Sequence, residues 1–355
     1  MISKEQIIGA LSKVYDPDLK KDLVSLNMID NIQVNGNKIS FTVLLTTPAC
    51  PLKQYIKSKC EKAIKELDPN VDVEVTMSSR VSGMQKTDLA NIKNIILVSS
   101  GKGGVGKSTV AANIAVGLAN IQGLRVALLD ADIYGPSIPI MFGKQNTQAH
   151  AIKTVDGKNR IEPIESYGIK MLSMGFFVQS QQAVPWRGPM VSSAIKQFIY
   201  DTDWGEIDYL IIDMPPGTGD IHLTIAQQVP ISGAIIVTTP QNIASSDARK
   251  GLTMFLMKNI EVNILGVVEN MSYFIDNSGH RHNIFGTNNG GEALAKEFQV
   301  PFLGQIPIFS DINKACDEGR PISLEKDHDA AKIFEDIASK IACSVSVINT
   351  NAKMC

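Results

Sequence analysis

The sequence predicts an α/β protein: a parallel-sheet domain preceded by a small α+β domain. Three observations carry this reading. Beyond about residue 94, short unbroken apolar runs alternate with helical stretches, the pattern of a parallel sheet covered on both faces. Before it, a helix, a hairpin, a second helix and a strand follow one another. Between them lies a polar stretch, Ser78 to Asn91, with the features of a linker. The expected organisation is a domain over 1–80, a linker over 81–93, the sheet domain over 94–345 and a frayed tail over 346–355.

The composition is compatible with two domains. The chain has 355 residues, 44% hydrophobic and 20% charged, enough to bury a core and too apolar for general disorder. Thirty-four basic against 36 acidic residues leave a net charge of -2, which gives no global reason to expect a nucleic-acid partner. Five cysteines, none in C-x-x-C spacing, are too few for a disulfide framework. The N-terminus lacks signal-peptide order, and no apolar run reaches the ~18–20 residues that cross a bilayer. A cytoplasmic protein without a membrane partner is expected.

In the first domain, Ile7, Ile8, Leu11 and Val14 recur at helical spacing over Lys4 to Tyr15, and Asp16-Pro17-Asp18 ends that helix. Ile32–Val34, Asn35-Gly36 and Ile39–Leu45 read as a hairpin, because Asn-Gly accepts the positive φ of a tight turn. A helix over Leu52–Leu67 and a strand at Val71, Val73 and Val75 follow. In the second domain, apolar strands are expected at Ile95–Val98, Val126–Leu129, Ile169–Leu172, Tyr209–Ile212, Ala234–Val237, Ile264–Val268 and Phe302–Ile306.

The most specific motif joins the first of these strands to a helix over Ser108–Ile121. Gly101-Lys102-Gly103-Gly104-Val105-Gly106-Lys107-Ser108, followed by Thr109, fits G-x-x-x-x-G-K-S/T, the P-loop of nucleotide-binding NTPases. Glycines let backbone N–H groups surround phosphate oxygens, and the helix N-terminus faces the same anion. Lys107 is expected on the β- and γ-phosphates of ATP and Ser108 on Mg²⁺. Asp130 and Asp132 leave the next strand at its carboxyl end, where ligands bind in such sheets. Asp132 is the candidate for positioning the attacking water, with Asp130 an accessory group near Mg²⁺. Ile211-Ile212-Asp213 has the Walker B form, so Asp213 is expected to hold Mg²⁺ through water. Gly217 in the following Pro-Pro-Gly-Thr-Gly turn is a candidate γ-phosphate switch.

These segments identify a resemblance. K-G-G-x-G-K-S, with Lys102 as a second lysine, is similar to the deviant phosphate loop of the MinD, ArsA and nitrogenase iron-protein class. SSGKGGVGKSTVAANIA, DADIYGPSIP, WRGPM, DMPPGTGDIHLTIAQ and ENMSYF…IFG together resemble the Mrp/ApbC family of iron-sulfur cluster carriers over about Asn94 to Ile341. LTTPACPLKQ (Leu45 to Gln54) resembles the SufT-like domain often fused in front of them. The resemblance implies a slow, Mg-dependent ATP hydrolase that works as a homodimer. In it, Lys102 crosses to the partner subunit's nucleotide, Asn270 binds adenine and the segment at Pro307 flanks the ring. It also implies a 4Fe–4S cluster passed to apo-protein clients.

One departure bears on the cargo. Many relatives carry C-x-x-C between MSYF and IFG, whereas Tyr273 to Gly286 here contains no cysteine. Asp276, His280 and His282 are weak metal candidates in that stretch. Cys50 stands in a Thr-Pro-Ala-Cys-Pro turn before a helix whose N-terminus favours a thiolate, so it is the first candidate iron-sulfur ligand. Cys60 reads as a core residue; Cys316, Cys343 and Cys355 have no assigned role. Arg187 in Trp186–Met190 suits either a phosphate or an interface. Two other readings stay open: an adaptor that has lost its cluster site, and a MinD/ParA-like spatial-organising ATPase. A C-terminal stretch with only Lys353 as a basic residue counts against membrane targeting by the latter.

Overall fold

The structure, a computed structural model, describes residues 2–352 except 49, 51, 80–88, 90, 155–156, 178–187 and 287–288. The chain divides into two compact units, Met1–Ser82 with Ala342–Cys355, and Gly83–Ile341.

The first unit opens with α1 (Lys4–Leu11), started by a capping box in which Ser3 and Gln6 satisfy each other's backbone N–H groups. The helix stops at Leu11, four residues before the expected end. Tyr15–Asp16 (β1) instead pairs with Lys21–Asp22 (β2), closed by the Asp16 carboxylate on the N–H groups of Asp18 and Leu19. β3 (Ile29–Asn35) and β4 (Lys38–Leu45) form the hairpin, with Asn35 opposite Lys38, so the loop is Gly36-Asn37, one residue later than Asn-Gly spacing predicts. Alternation along β4 buries Ile39, Phe41, Val43 and Leu45. Against that face lie Ile56, Cys60 and Ile64, one stripe of α2 (Lys53–Lys65). β5 (Asp72–Ser79) adds parallel to β4.

In the second unit, β6 (Ile92–Ser99) leads into α3 (Lys107–Ala119), then β7 (Val126–Asp130) and the short α4 (Ile138–Met141). The expected linker extended to residue 93; the strand instead begins at Ile92, which is buried, while 81–88 and 90 lie outside the described residues. A small hairpin, β8 (Ala151–Lys153) and β9 (Asn159–Ile161), precedes β10 (Ile164–Ser166) and β11 (Ile169–Ser173). Then come α5 (Gly188–Tyr200), β12 (Ile207–Asp213), α6 (Asp220–Gln228), β13 (Gly233–Thr238), α7 (Asn242–Phe255) and β14 (Ile264–Asn270). The exposed hairpin β15 (Phe274–Ile275) and β16 (Arg281–His282), α8 (Gly290–Phe298), β17 (Phe302–Ile306), α9 (Ser310–Asp317) and α10 (Asp329–Ala352) complete the chain.

Eight strands form one sheet in the order β10-β11-β7-β12-β6-β13-β14-β17, parallel except for the β10–β11 edge pair. Strands β7, β12, β13 and β14 are buried throughout, which explains why they read as unbroken apolar runs. β6 sits between β12 and β13, so the chain crosses to opposite sides of it, and the crevice of a doubly wound sheet opens at its carboxyl end.

The tail departs from expectation. Residues 346–352 were expected to fray but continue α10. The helix repeat buries Val345, Ser346 and Asn349, and Val347 packs on the first unit's core. Small, weakly polar residues hid an amphipathic last turn. Cys355 lies outside the described residues.

Candidate functional site

The segment Gly101–Gly106 turns between β6 and α3. Gly106 sits at φ 79° at the helix N-cap, and a Cβ there would overlap the Asn270 amide. Gly101 has a different reason to be glycine: a Cβ would overlap the backbone at Asp247 on α7. The loop is thus held from two sides where it enters the N-terminus of α3, an end whose free N–H groups suit an anion.

Lys107 and Asp213 form the centre. Lys107 Nζ donates to Asp213 Oδ1 at 2.7 Å and lies 3.2 Å from Ser108 Oγ; the two side chains are 6% and 0% exposed. Asp213 Oδ2 is buried with no hydrogen-bond partner among the described residues. Burial pushes the Asp213 carboxyl above its ordinary range, against the pull of Lys107. A buried carboxylate oxygen beside the Ser108 hydroxyl is a donor set suited to a hard divalent cation.

Strand register places Asp130 directly beside Asp213. Expected as an accessory group near Mg²⁺, Asp130 spends its carboxylate on protein donors: Oδ1 accepts from Asp132 N–H, and Oδ2 from Ser137 N–H, Ile138 N–H and Ser173 Oγ. It therefore folds the segment that carries Asp132. Burial and the neighbouring Asp213 charge raise its pKa to about 7. Asp132 is half-buried and raised by burial, with Lys107 near enough to oppose the shift.

Asn270, expected on adenine, donates its Nδ2 to the Val105 carbonyl at 2.9 Å and so braces the phosphate loop. Pro307 is buried just beyond β17, the strand paired with β14, so Asn270 and Pro307 close adjacent strands. Lys102 is half-buried on the loop, and its carbonyl accepts from Ser100 Oγ. A residue not foreseen is Glu269, 1% exposed, whose carboxylate accepts from Gly291 N–H and Gln305 Nε2 at 2.7 and 2.9 Å. A glutamate interrupting a buried strand was the available signal.

The thiols differ from expectation. The helix start after Cys50 predicts a thiolate there; burial pushes that thiol up instead, reinforced by Asp16 and Asp18 and outweighing the Leu52 N–H. Cys343, on the part of α10 that belongs to the first unit, is pushed up to about 12 by burial, with the Cys50, Asp18 and Asp16 charges adding. Cys60 is fully buried in the core and raised to about 12. In the second unit, Cys316 is buried and raised to about 11. On the β15–β16 hairpin, His282 Nε2 pairs with Asp276 at 2.7 Å, whereas His280 stays 3.8 Å away, and no metal-holding group of three occurs among the described residues. Arg187 lies outside those residues.

The family model for the NUBPL iron-transfer P-loop NTPase matches residues 91–342. The chain belongs to that family. A second model, for the iron-sulfur cluster assembly protein domain, matches residues 4–77. The chain is 47% identical over 98% of its length to an iron-sulfur cluster carrier protein of Synechocystis sp., covering 99% of that protein. It is 44% identical over 97% to one of Deinococcus radiodurans, covering 96% of it. Among solved structures, the nucleotide-binding protein of Archaeoglobus fulgidus in complex with ADP matches with a TM-score of 0.56 and 39% identity, over 66% of this chain and 93% of that one. No helix among the described residues is long and apolar enough to cross a membrane.

Proposed function

We propose that the chain is a cytoplasmic, homodimeric, Mg-dependent ATPase that takes up a 4Fe–4S cluster and delivers it to apo-proteins. The buried Lys107–Asp213 pair under the phosphate loop carries this reading, because the second Asp213 oxygen has no partner among the described residues. Asp213 and Ser108 would hold Mg²⁺, which when bound neutralises charge on the β- and γ-phosphates. Lys107, now on Asp213, turns to those phosphates when nucleotide enters, and Lys102 of the opposite subunit adds a second cation. Asp132 holds the attacking water in line, in a segment fixed by Asp130. With Asn270 Nδ2 committed to Val105, its Oδ1 is the atom left to accept from the adenine amino group.

For the cargo, Cys50 is the proposed ligand, and Cys343 stands close enough for the Cys50 charge to act on it. Protonated thiols beside Asp16 and Asp18 lose their protons when iron supplies the balancing charge. Anaerobic reconstitution with iron and sulfide, followed by absorption spectroscopy, iron counting and transfer to an apo-ferredoxin, tests the function. Stoichiometric iron lost in Cys50→Ser supports it. The adaptor reading is favoured by one observation, the cysteine-free β15–β16 hairpin. Nucleotide binding with no iron retained would establish that reading instead.

A further inference from the structure

On the first unit, α1 packs on α2, and a recess of about 450 Å³ opens along the two helices and the residues that follow them. Its most buried lining groups are aliphatic: Ala10 and Val14, each 6% exposed, and half-buried Ala63. Its exposed lining sets Lys13, Lys59 and Lys62 against a single carboxylate, Glu66. None of the three lysines makes an ion pair with a described residue. Lys59 Nζ instead lies 5.4 Å from the ring centroid of Tyr55, an exposed tyrosine of the same lining.

The positive charge is local. Between Lys53 and Lys65, α2 carries lysines at 53, 57, 59, 62 and 65 against Glu61 alone, in a chain that is slightly acidic overall. Aliphatic recesses take apolar side chains, and unpaired ammonium groups around them take carboxylates. A second copy docking by the same face would bring one net positive surface against another, which a self-complementary contact does not tolerate. A lipid surface calls for apolar groups that project, whereas Ala10 and Val14 are recessed. A nucleic-acid strand stacks its bases on open aromatic faces, and the Lys59 ammonium lies over one face of Tyr55.

We propose that this recess docks an acidic amphipathic segment of a partner protein. Apolar side chains of the segment enter between α1 and α2, and its aspartates and glutamates meet Lys13, Lys59 and Lys62. The inference depends neither on the ATPase reading nor on a bound cluster.

The test uses the full chain and a fluorescein-labelled helical peptide with leucines on one face and glutamates on the other, followed by anisotropy. Its companion probes are the same peptide with every glutamate replaced by glutamine, an oligo-dT strand and vesicles of phosphatidylserine. The acidic peptide is expected to bind in the micromolar range, more weakly as salt rises, and the glutamine peptide at least about tenfold more weakly. Lys59→Glu with Lys62→Glu sets like charges against the peptide and should weaken it at least about tenfold. Those two side chains are exposed, so this variant should melt within a few degrees of wild type. Ala63→Phe fills the recess without touching charge and should weaken the peptide at low and high salt alike. Should A63F misfold, the charge-reversed variant and the glutamine peptide decide alone. No binding of the acidic peptide, equal binding of the glutamine peptide, or unchanged affinity in K59E/K62E or in folded A63F would each overturn the inference. Tighter binding to the oligonucleotide or to the vesicles than to the acidic peptide would overturn it too.

Discussion

Replacing Lys107 with alanine tests the centre of the site without any ligand. In the wild type the ammonium and the Asp213 carboxylate meet at 2.7 Å, almost wholly out of water. Removing one member of such a pair leaves the other charge buried and uncompensated, a loss of ~3–5 kcal/mol. For a unit of this size that is about 6–20 °C in melting temperature. The loss must depend on pH. The Asp213 pKa already lies above its ordinary value with Lys107 present, and K107A raises it further. A carboxyl raised in the folded state destabilises above its unfolded pKa, so the defect should grow as pH rises from ~4 towards 8 and shrink on acidification. Both tryptophans, Trp186 and Trp204, fall in the Gly83–Ile341 unit, so their fluorescence follows that unit through a urea titration. The double variant K107A/D213N removes the stranded charge and should regain most of the stability at pH 8. A K107A defect below ~1 kcal/mol, or one that does not change with pH, would refute a desolvated ion pair at this position.

Three further outcomes are expected. Glu269→Gln replaces a carboxylate that accepts from two N–H groups with an amide that can accept from only one. It should cost ~1–3 kcal/mol by urea titration and weaken nucleotide affinity through the adjacent Asn270. Gly106→Ala forces a side chain to a φ of 79° and into the Asn270 amide, so nucleotide binding should be lost and stability should fall by ~1–3 kcal/mol. Asp130, with its pKa near 7, takes up its proton before the unfolded chain does. Nucleotide-free protein should therefore gain up to ~1.4 kcal/mol per pH unit from this group as pH falls from 7 towards 4, seen as a rising urea midpoint.

The strands of the large sheet were legible because burial on both faces leaves unbroken apolar runs, as in Tyr209–Ile212. The phosphate loop was legible because its glycines answer to local geometry. What the sequence concealed depends on distant neighbours. Asp130 and Asp132 look equivalent in Asp-Ala-Asp, but only the fold brings Ser173 and the Ser137 N–H to the first of them. Asn270 suits a base contact, yet Val105, 165 positions earlier, takes its amide N–H. The last turns of α10 failed for another reason. Ser-Val-Ser-Val carries little helix propensity, and burial of Val345 and Ser346 overrides it.

Cys50 shows the same limit acting on chemistry. A helix start favours a thiolate by a fraction of a charge, and that local argument was readable. Burial and two nearby carboxylates act oppositely and came from elsewhere in the chain, Asp16 and Asp18 from an Asx-closed turn. An acidic, desolvated thiol site disfavours the negative charge of a thiolate. It suits a cation that arrives with its own positive charge, so metal affinity at Cys50 should climb steeply with pH as the bound proton is displaced. Iron retention in the reconstituted wild type that rises between pH 6 and 9, and is flat in Cys50→Ser, would support this thiol as a ligand. Retention that rises equally in both would place the cluster elsewhere.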